Sequence, residues 1–105
     1  MIGKSILTLD NFSSQSLYKM IGTNVARKRQ EKGLSQLDLA LAIGLKSSGL
    51  ISVAELNHKN RHFNVEHLYK ISLVLECDVS EFFKPIENNI TIWFWSFKVD
   101  RNNNF

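Results

Sequence analysis

The stretch Ser35-Gln36-Leu37-Asp38-Leu39-Ala40-Leu41-Ala42-Ile43-Gly44-Leu45 decides the fold. Ser35 stands where a side-chain oxygen accepts from the exposed N–H groups of a first helical turn, and Asp38 occupies the capping-box position. Leu37, Ala40, Leu41 and Ile43 recur at helical spacing and are the expected buried side. Ala40 is small and in mid-face, so a following helix can cross closely. Gly44 ends the helix, because glycine takes up the left-handed conformation without steric cost.

The same helical period extends to both sides. From Ser16, Leu17, Met20, Ile21 and Val25 form a stripe that Arg29 continues and Gly33 ends. After the glycine turn, Ser47 and Ser48 are candidate caps for a third helix running to about Leu56, with Leu50, Ile51 and Ala54 as its apolar side. A polar loop follows from Asn57 to His62. Asn64 caps a fourth helix in which Val65, Leu68, Ile71, Ser72 and Leu75 share a face. Ser80 opens a short fifth helix, Glu81–Lys84, which Pro85 stops. This pattern predicts an all-α, five-helix domain over residues 16–85, preceded by an arm (1–15) and followed by an apolar tail (86–105).

That tail holds Ile90-Thr91-Ile92-Trp93-Phe94-Trp95-Ser96-Phe97-Lys98-Val99, rich in β-branched and aromatic residues, with Asn88-Asn89 as a turn signal before it. It reads as a strand attached to a helical domain. The expected use is dimerisation, with Ile90, Ile92, Trp93, Phe94, Trp95 and Phe97 buried against the same strand of a second copy. Fold-back onto the helices under the N-terminal arm and a Trp-rich dock on a membrane surface are the alternatives.

With 105 residues, 44% apolar and 22% charged, the chain has the size and composition of one globular domain, too small for a two-domain enzyme. A single cysteine, Cys77, excludes an internal disulfide framework and a multi-cysteine zinc site, and a reducing cytoplasm is the expected compartment. Neither a secretory signal nor a stretch of the ~20 apolar residues needed for a membrane helix is evident. The net charge of +3 is unevenly placed. Residues 19–46 hold Lys19, Arg27, Lys28, Arg29, Lys32 and Lys46 against only Glu31 and Asp38, a basic stretch suited to a polyanion.

Taken in order, Ile21-Gly22 opening the first helix, Arg29, Lys32-Gly33-Leu34-Ser35-Gln36, Leu39-Ala40, Gly44-Leu45, Ile51-Ser52, Glu55, and Leu68 to Leu75 followed by Asp78-Val79-Ser80 resemble the Cro/lambda-repressor-like helix-turn-helix family, also called the XRE family. The resemblance covers residues 19–83. It implies a DNA-binding regulator whose second helix crosses the phosphate backbone and whose third lies in the major groove. Two features depart from the family pattern. The interval from Gly44 to Ile51 is one residue longer, and the glycine that commonly follows the glutamate is replaced, with Asn57 nearby to supply left-handed geometry.

The resemblance implies that Arg29 and Glu55 form a structural ion pair and that Ser35 and Gln36 touch the DNA backbone, although Ser35 also serves as a cap. Ser47, Ser48, Gly49, Ser52 and Val53 are the groove-facing positions. They are poor in Arg, Lys, Asn and Gln, the usual base readers, while Val53 can touch a thymine methyl. Lys46 before the third helix, and Asn57, Lys59, Asn60 and Arg61 after it, are candidates for phosphate grip. His58, His62 and His67 lack the convergent ligands of a zinc site. No nucleophile–base pair or phosphate-binding glycine loop points to an enzyme or a cofactor.

The expectation is therefore a cytoplasmic, homodimeric repressor on double-stranded DNA with an inverted-repeat operator. The rival reading is an antitoxin-like module whose apolar strand docks a protein partner.

Overall fold

The computed structural model describes residues 13–85. Four α-helices follow one another: α1 (Ser14–Glu31), α2 (Gln36–Ala42), α3 (Gly49–Glu55) and α4 (Val65–Leu75). Two 3-10 turns, His58–Asn60 and Val79–Phe83, follow α3 and α4. The expected strand at 90–99, with its dimerisation residues, lies outside the described residues, among which there is no strand.

Local capping sets most of the boundaries. Ser13 Oγ accepts from the Ser16 backbone N–H at 3.2 Å, so α1 begins two residues before the apolar period does. Ile21-Gly22 consequently lies in mid-helix and not at its opening. Both halves of the α2 capping box form: Ser35 Oγ accepts from Asp38 N–H and Asp38 Oδ2 accepts from Ser35 N–H, each at 2.9 Å. Gly44, at φ +92°, then lets Leu45 N–H return to Ala40 O at 2.9 Å, which closes the helix end. Asn64 caps α4 and accepts from His67 N–H at 2.7 Å.

The fifth helix is instead the 3-10 turn Val79–Phe83, and its cap is Asp78, whose Oδ1 accepts from Ser80 N–H at 3.0 Å. A five-residue segment between that cap and Pro85 closes i→i+3 bonds more readily than an α-helical ladder.

Ile21, Val25, Leu39, Ala40, Ile43, Ile51, Ala54, Phe63, Leu68, Ile71, Leu75 and Phe82 form one core. Leu37 and Leu41 do not belong to it, being 47% and 55% exposed, and Val65 is 84% exposed. Helix α2 turns the Leu39–Ala40–Ile43 stripe inward, and Leu37 and Leu41 sit roughly a third of a turn or more around the helix from it. Phe82, fully buried, supplies the volume that seals α1 against the 3-10 turn Val79–Phe83. Beside it, Asn24 Nδ2 donates to Phe82 O at 3.0 Å and Lys84 O at 2.8 Å, while its Oδ1 accepts from Arg27 at 2.9 Å. This buried amide has all its strong partners.

Helix α1 touches α3 backbone to backbone. A Cβ at Gly22 would lie 2.6 Å from Glu55 O and 2.8 Å from Glu55 C, and closer still to Ala54 O. We expect Gly22→Ala to force the helices apart and lower stability by about 1–3 kcal/mol in urea unfolding. Gly49→Ala, which would meet only Ser47 Oγ at 3.7 Å, should leave stability unchanged or raised.

Several surface carboxylates are held below their ordinary values of 3.8 (Asp) and 4.5 (Glu). Asp38 and Asp78 are lowered by the backbone N–H groups of Ser35 and Ser80, and Glu66, Glu76 and Glu81 by hydrogen bonds from Lys70, Lys32 and Lys84. Their folded values lie below their unfolded ones. The stabilisation is therefore complete above the unfolded values and is lost as pH falls through the folded ones. The melting temperature, followed by circular dichroism, should hold from neutrality to about pH 5 and decline progressively below it.

Candidate nucleic-acid interface

Helix α3 carries the candidate site, and its inner side is fixed by a buried ion pair. Arg29 Nε donates to Glu55 Oε2 at 2.7 Å and its NH2 to Oε1 at 3.1 Å, a two-pronged contact between side chains 9% and 4% exposed. The remaining guanidinium nitrogen donates to Leu34 O at 2.8 Å. Gln36 Nε2 adds a further bond to Glu55 Oε1 at 2.9 Å. Glu55 is thus held from α1 and α2 at once, with Ile51 and Ala54 fully buried on the same side.

Gln36, expected to reach for phosphate, is half-buried and gives one amide donor to Glu55. Ser35 is exposed and occupied as the α2 cap. Ser48 stands at the N-cap of α3 but makes no capping hydrogen bond. Its hydroxyl, like those of exposed Ser47 and half-buried Ser52, has no intramolecular partner among the described residues. Gly49 is exposed and Ser52 and Val53 are half-buried, all three on the side of α3 opposite Ile51, Ala54 and Glu55.

Leu56 continues that outward stripe by one helical turn and is 72% exposed. Sequence reasoning passed over it, although the 3.6-residue period counted from Gly49 and Ser52 reaches it.

The loop after α3 is shaped by left-handed residues, Asn57 (φ 52°), Lys59 (φ 53°) and Asn60 (φ 59°). Asn57 fills the place of the family's glycine, and its Nδ2 donates to Gln15 Oε1 at 3.1 Å. Lys59, Asn60 and Arg61 are exposed. A lysine held left-handed carries a conformational cost of about 1–2 kcal/mol, which the surrounding packing must offset. His62 stacks on Tyr18, ring centroids 3.6 Å apart, and His67 Nδ1 accepts from Asn64 N–H at 3.3 Å. Each is engaged in local structure. Burial pushes the Cys77 thiol up, away from the reactive thiolate.

Charge is arranged differently from its order along the chain. Lys28 lies 3.4 Å from Glu81 and 3.9 Å from Glu31, Arg27 lies 3.8 Å from Glu31, and Lys32 lies 2.7 Å from Glu76. Carboxylates from α4 and the final 3-10 turn thereby neutralise much of the basic stretch 19–46, which a sum along the sequence cannot register. Lys19, Lys46, Lys59 and Arg61 form no ion pair among the described residues. Three of them, Lys46, Lys59 and Arg61, bracket α3.

A family model described as helix-turn-helix matches residues 25–82, from the middle of α1 to the final 3-10 turn. The chain belongs to the helix-turn-helix family. Its branch is the XRE, or Cro/lambda-repressor, kind, a family of DNA-binding regulatory domains, in which α2 and α3 are the two helices of the motif. No curated protein matches the chain. No helix among the described residues is long and apolar enough to cross a membrane.

Within this helix-turn-helix domain, Glu55→Ala should cost about 3–5 kcal/mol in urea unfolding, because it leaves Arg29 buried without its counter-charge. Arg29→Lys should also destabilise, since an ammonium cannot make the two-pronged contact.

Proposed function

We propose that this protein is a sequence-specific transcriptional regulator, a repressor, that binds an inverted-repeat operator as a homodimer. The observation that carries the reading is the placement of cations without an ion-pair partner among the described residues, Lys46 before α3 and Lys59 and Arg61 after it, around a helix whose inner side is locked by Glu55. In this reading α3 enters the major groove. Gly49, Ser52 and Val53 face the base edges with Ser47 and Ser48 at the entry, while Lys46, Lys59, Asn60 and Arg61 grip phosphates. Ser35 approaches the backbone from α2, and Asn57 sets the course of the basic loop.

The mechanism needs no bond chemistry. Two α3 helices placed a helical turn apart, or a multiple of one, occupy successive major grooves and exclude polymerase from the site. Dimerisation is assigned to the apolar segment 90–99, whose Trp and Phe residues suit burial at a two-fold contact.

Incubation with a random duplex pool at two salt concentrations, followed by sequencing of the retained DNA, tests the reading. The expected result is enrichment of an inverted repeat with half-sites about 10 bp apart or a multiple of that. Changing Lys46, Lys59 or Arg61 to Gln should each lower the slope of log affinity against log salt by about 0.9. Absence of any retained duplex at low salt would overturn the proposal in favour of a protein-binding module.

A further inference from the structure

We infer that α3 reads thymine through its 5-methyl group, using Val53 and Leu56 as an apolar reading edge; the inference rests on the DNA-binding role proposed above.

The outward stripe of α3 is Gly49, Ser52, Val53 and Leu56. It contains no Arg, Lys, Asn or Gln, so the two-pronged hydrogen bonds that select guanine or adenine are unavailable on it. Its one hydrogen-bonding side chain is Ser52, whose hydroxyl both donates and accepts and so discriminates weakly. The stripe offers instead two branched apolar side chains, of which Leu56 is 72% exposed. The major-groove edge of B-DNA presents one apolar group, the thymine methyl, and it distinguishes T·A from A·T by its position.

Two further observations assign this apolar edge to DNA and not to an apolar protein groove. Lys46 precedes α3 and Lys59 and Arg61 follow it, none with an ion-pair partner among the described residues, so the helix that carries the patch is flanked by positive charge. An apolar protein surface would gain nothing from that charge, whereas a polyanion would. Among the described residues nothing requires Gly49, at the leading end of the stripe, to be glycine: its φ is not positive, and the one atom an added Cβ would meet there is Ser47 Oγ at 3.7 Å. The missing side chain lets this end of α3 come close to a surface outside the protein, and the apolar side chains three and four residues further on then reach the same depth.

Spacing fits as well. Side chains three apart on a helix have Cβ atoms about 5–6 Å apart, and successive base pairs rise about 3.4 Å. Val53 and Leu56 therefore meet methyls one or two base-pair steps apart.

The test uses the full chain and a duplex enriched from the random pool, remade with deoxyuridine in place of thymidine in each half-site. This exchange removes the methyls and leaves every hydrogen-bonding atom in place. Binding should weaken about fourfold for each contacted methyl lost, and on the order of tenfold for two. Leu56→Ala, whose thermal unfolding should match that of the parent, and Val53→Ala should each reduce the preference for thymine over uracil and leave the salt slope unchanged. Equal affinity for the two duplexes, or a Leu56→Ala protein with the full thymine preference, would overturn the inference while leaving DNA binding intact. If no duplex is retained even at low salt, the regulator reading itself fails and the inference falls with it.

Discussion

The contact between Arg29 and Glu55 is the interaction on which the arrangement of helices depends. Two oppositely charged groups removed from water repay their desolvation only when the geometry is close and the remaining donors and acceptors are occupied. Here the guanidinium meets both carboxylate oxygens and the Leu34 carbonyl, and Gln36 fills a further site on Glu55. Four segments converge on one small polar cluster inside an apolar core: α1, the turn before α2, α2 itself and α3. The contact joins Ile51 and Ala54, fully buried on the same side, and the close backbone approach at Gly22 in setting which side of α3 is turned inward. The face that α3 presents outward follows from these contacts together.

Electrostatics outside the core acts on partner choice more than on stability. Exposed ion pairs such as Lys32–Glu76 and Lys70–Glu66 contribute little to folding at ordinary salt. Their larger effect is subtractive. By neutralising cations on α1, at its end and on α4, they leave Lys46, Lys59 and Arg61 beside α3, with Lys19 on α1, as the cations without an ion pair among the described residues. The positive charge is therefore more localised than the linear charge pattern implies, and three of its four unpaired groups flank one short helix.

What the sequence made legible was local. Ser35 with Asp38, Asn64 with its third following residue, Gly33 and Gly44 all act within a few positions along the chain, where residue type alone identifies cap and turn. Even the left-handed Asn57 could be anticipated. What escaped depends on groups far apart in the chain. The inward rotation of α2, which leaves Leu37 and Leu41 in water, is set by how α2 lies against α1 and α3. The hydrogen bond from Gln36 requires knowing where Glu55 sits. The final segment is too short for its spacing to distinguish 3.6 from 3.0 residues per turn, so a 3-10 turn stands where the period suggests a fifth helix. For the site, motif spacing identifies Gly49, Ser52 and Val53 as positions on the side of α3 opposite its buried residues. It does not single out Leu56, because a leucine at a helix end is by default assigned to a core.

The Asn24 amide bears on how the chain comes to be folded. Its two backbone acceptors, Phe82 O and Lys84 O, lie 58 and 60 residues further along. While the chain is being made, α1 emerges long before either carbonyl exists, and the space that Phe82 fills stands open to water. Helices can flicker into being along the nascent chain, but the amide has no permanent partners and the core has no lid until the last turn leaves the ribosome. Completion of this domain is therefore a single late event in synthesis, and any stall before residue 82 leaves a chain whose first helix is unsealed.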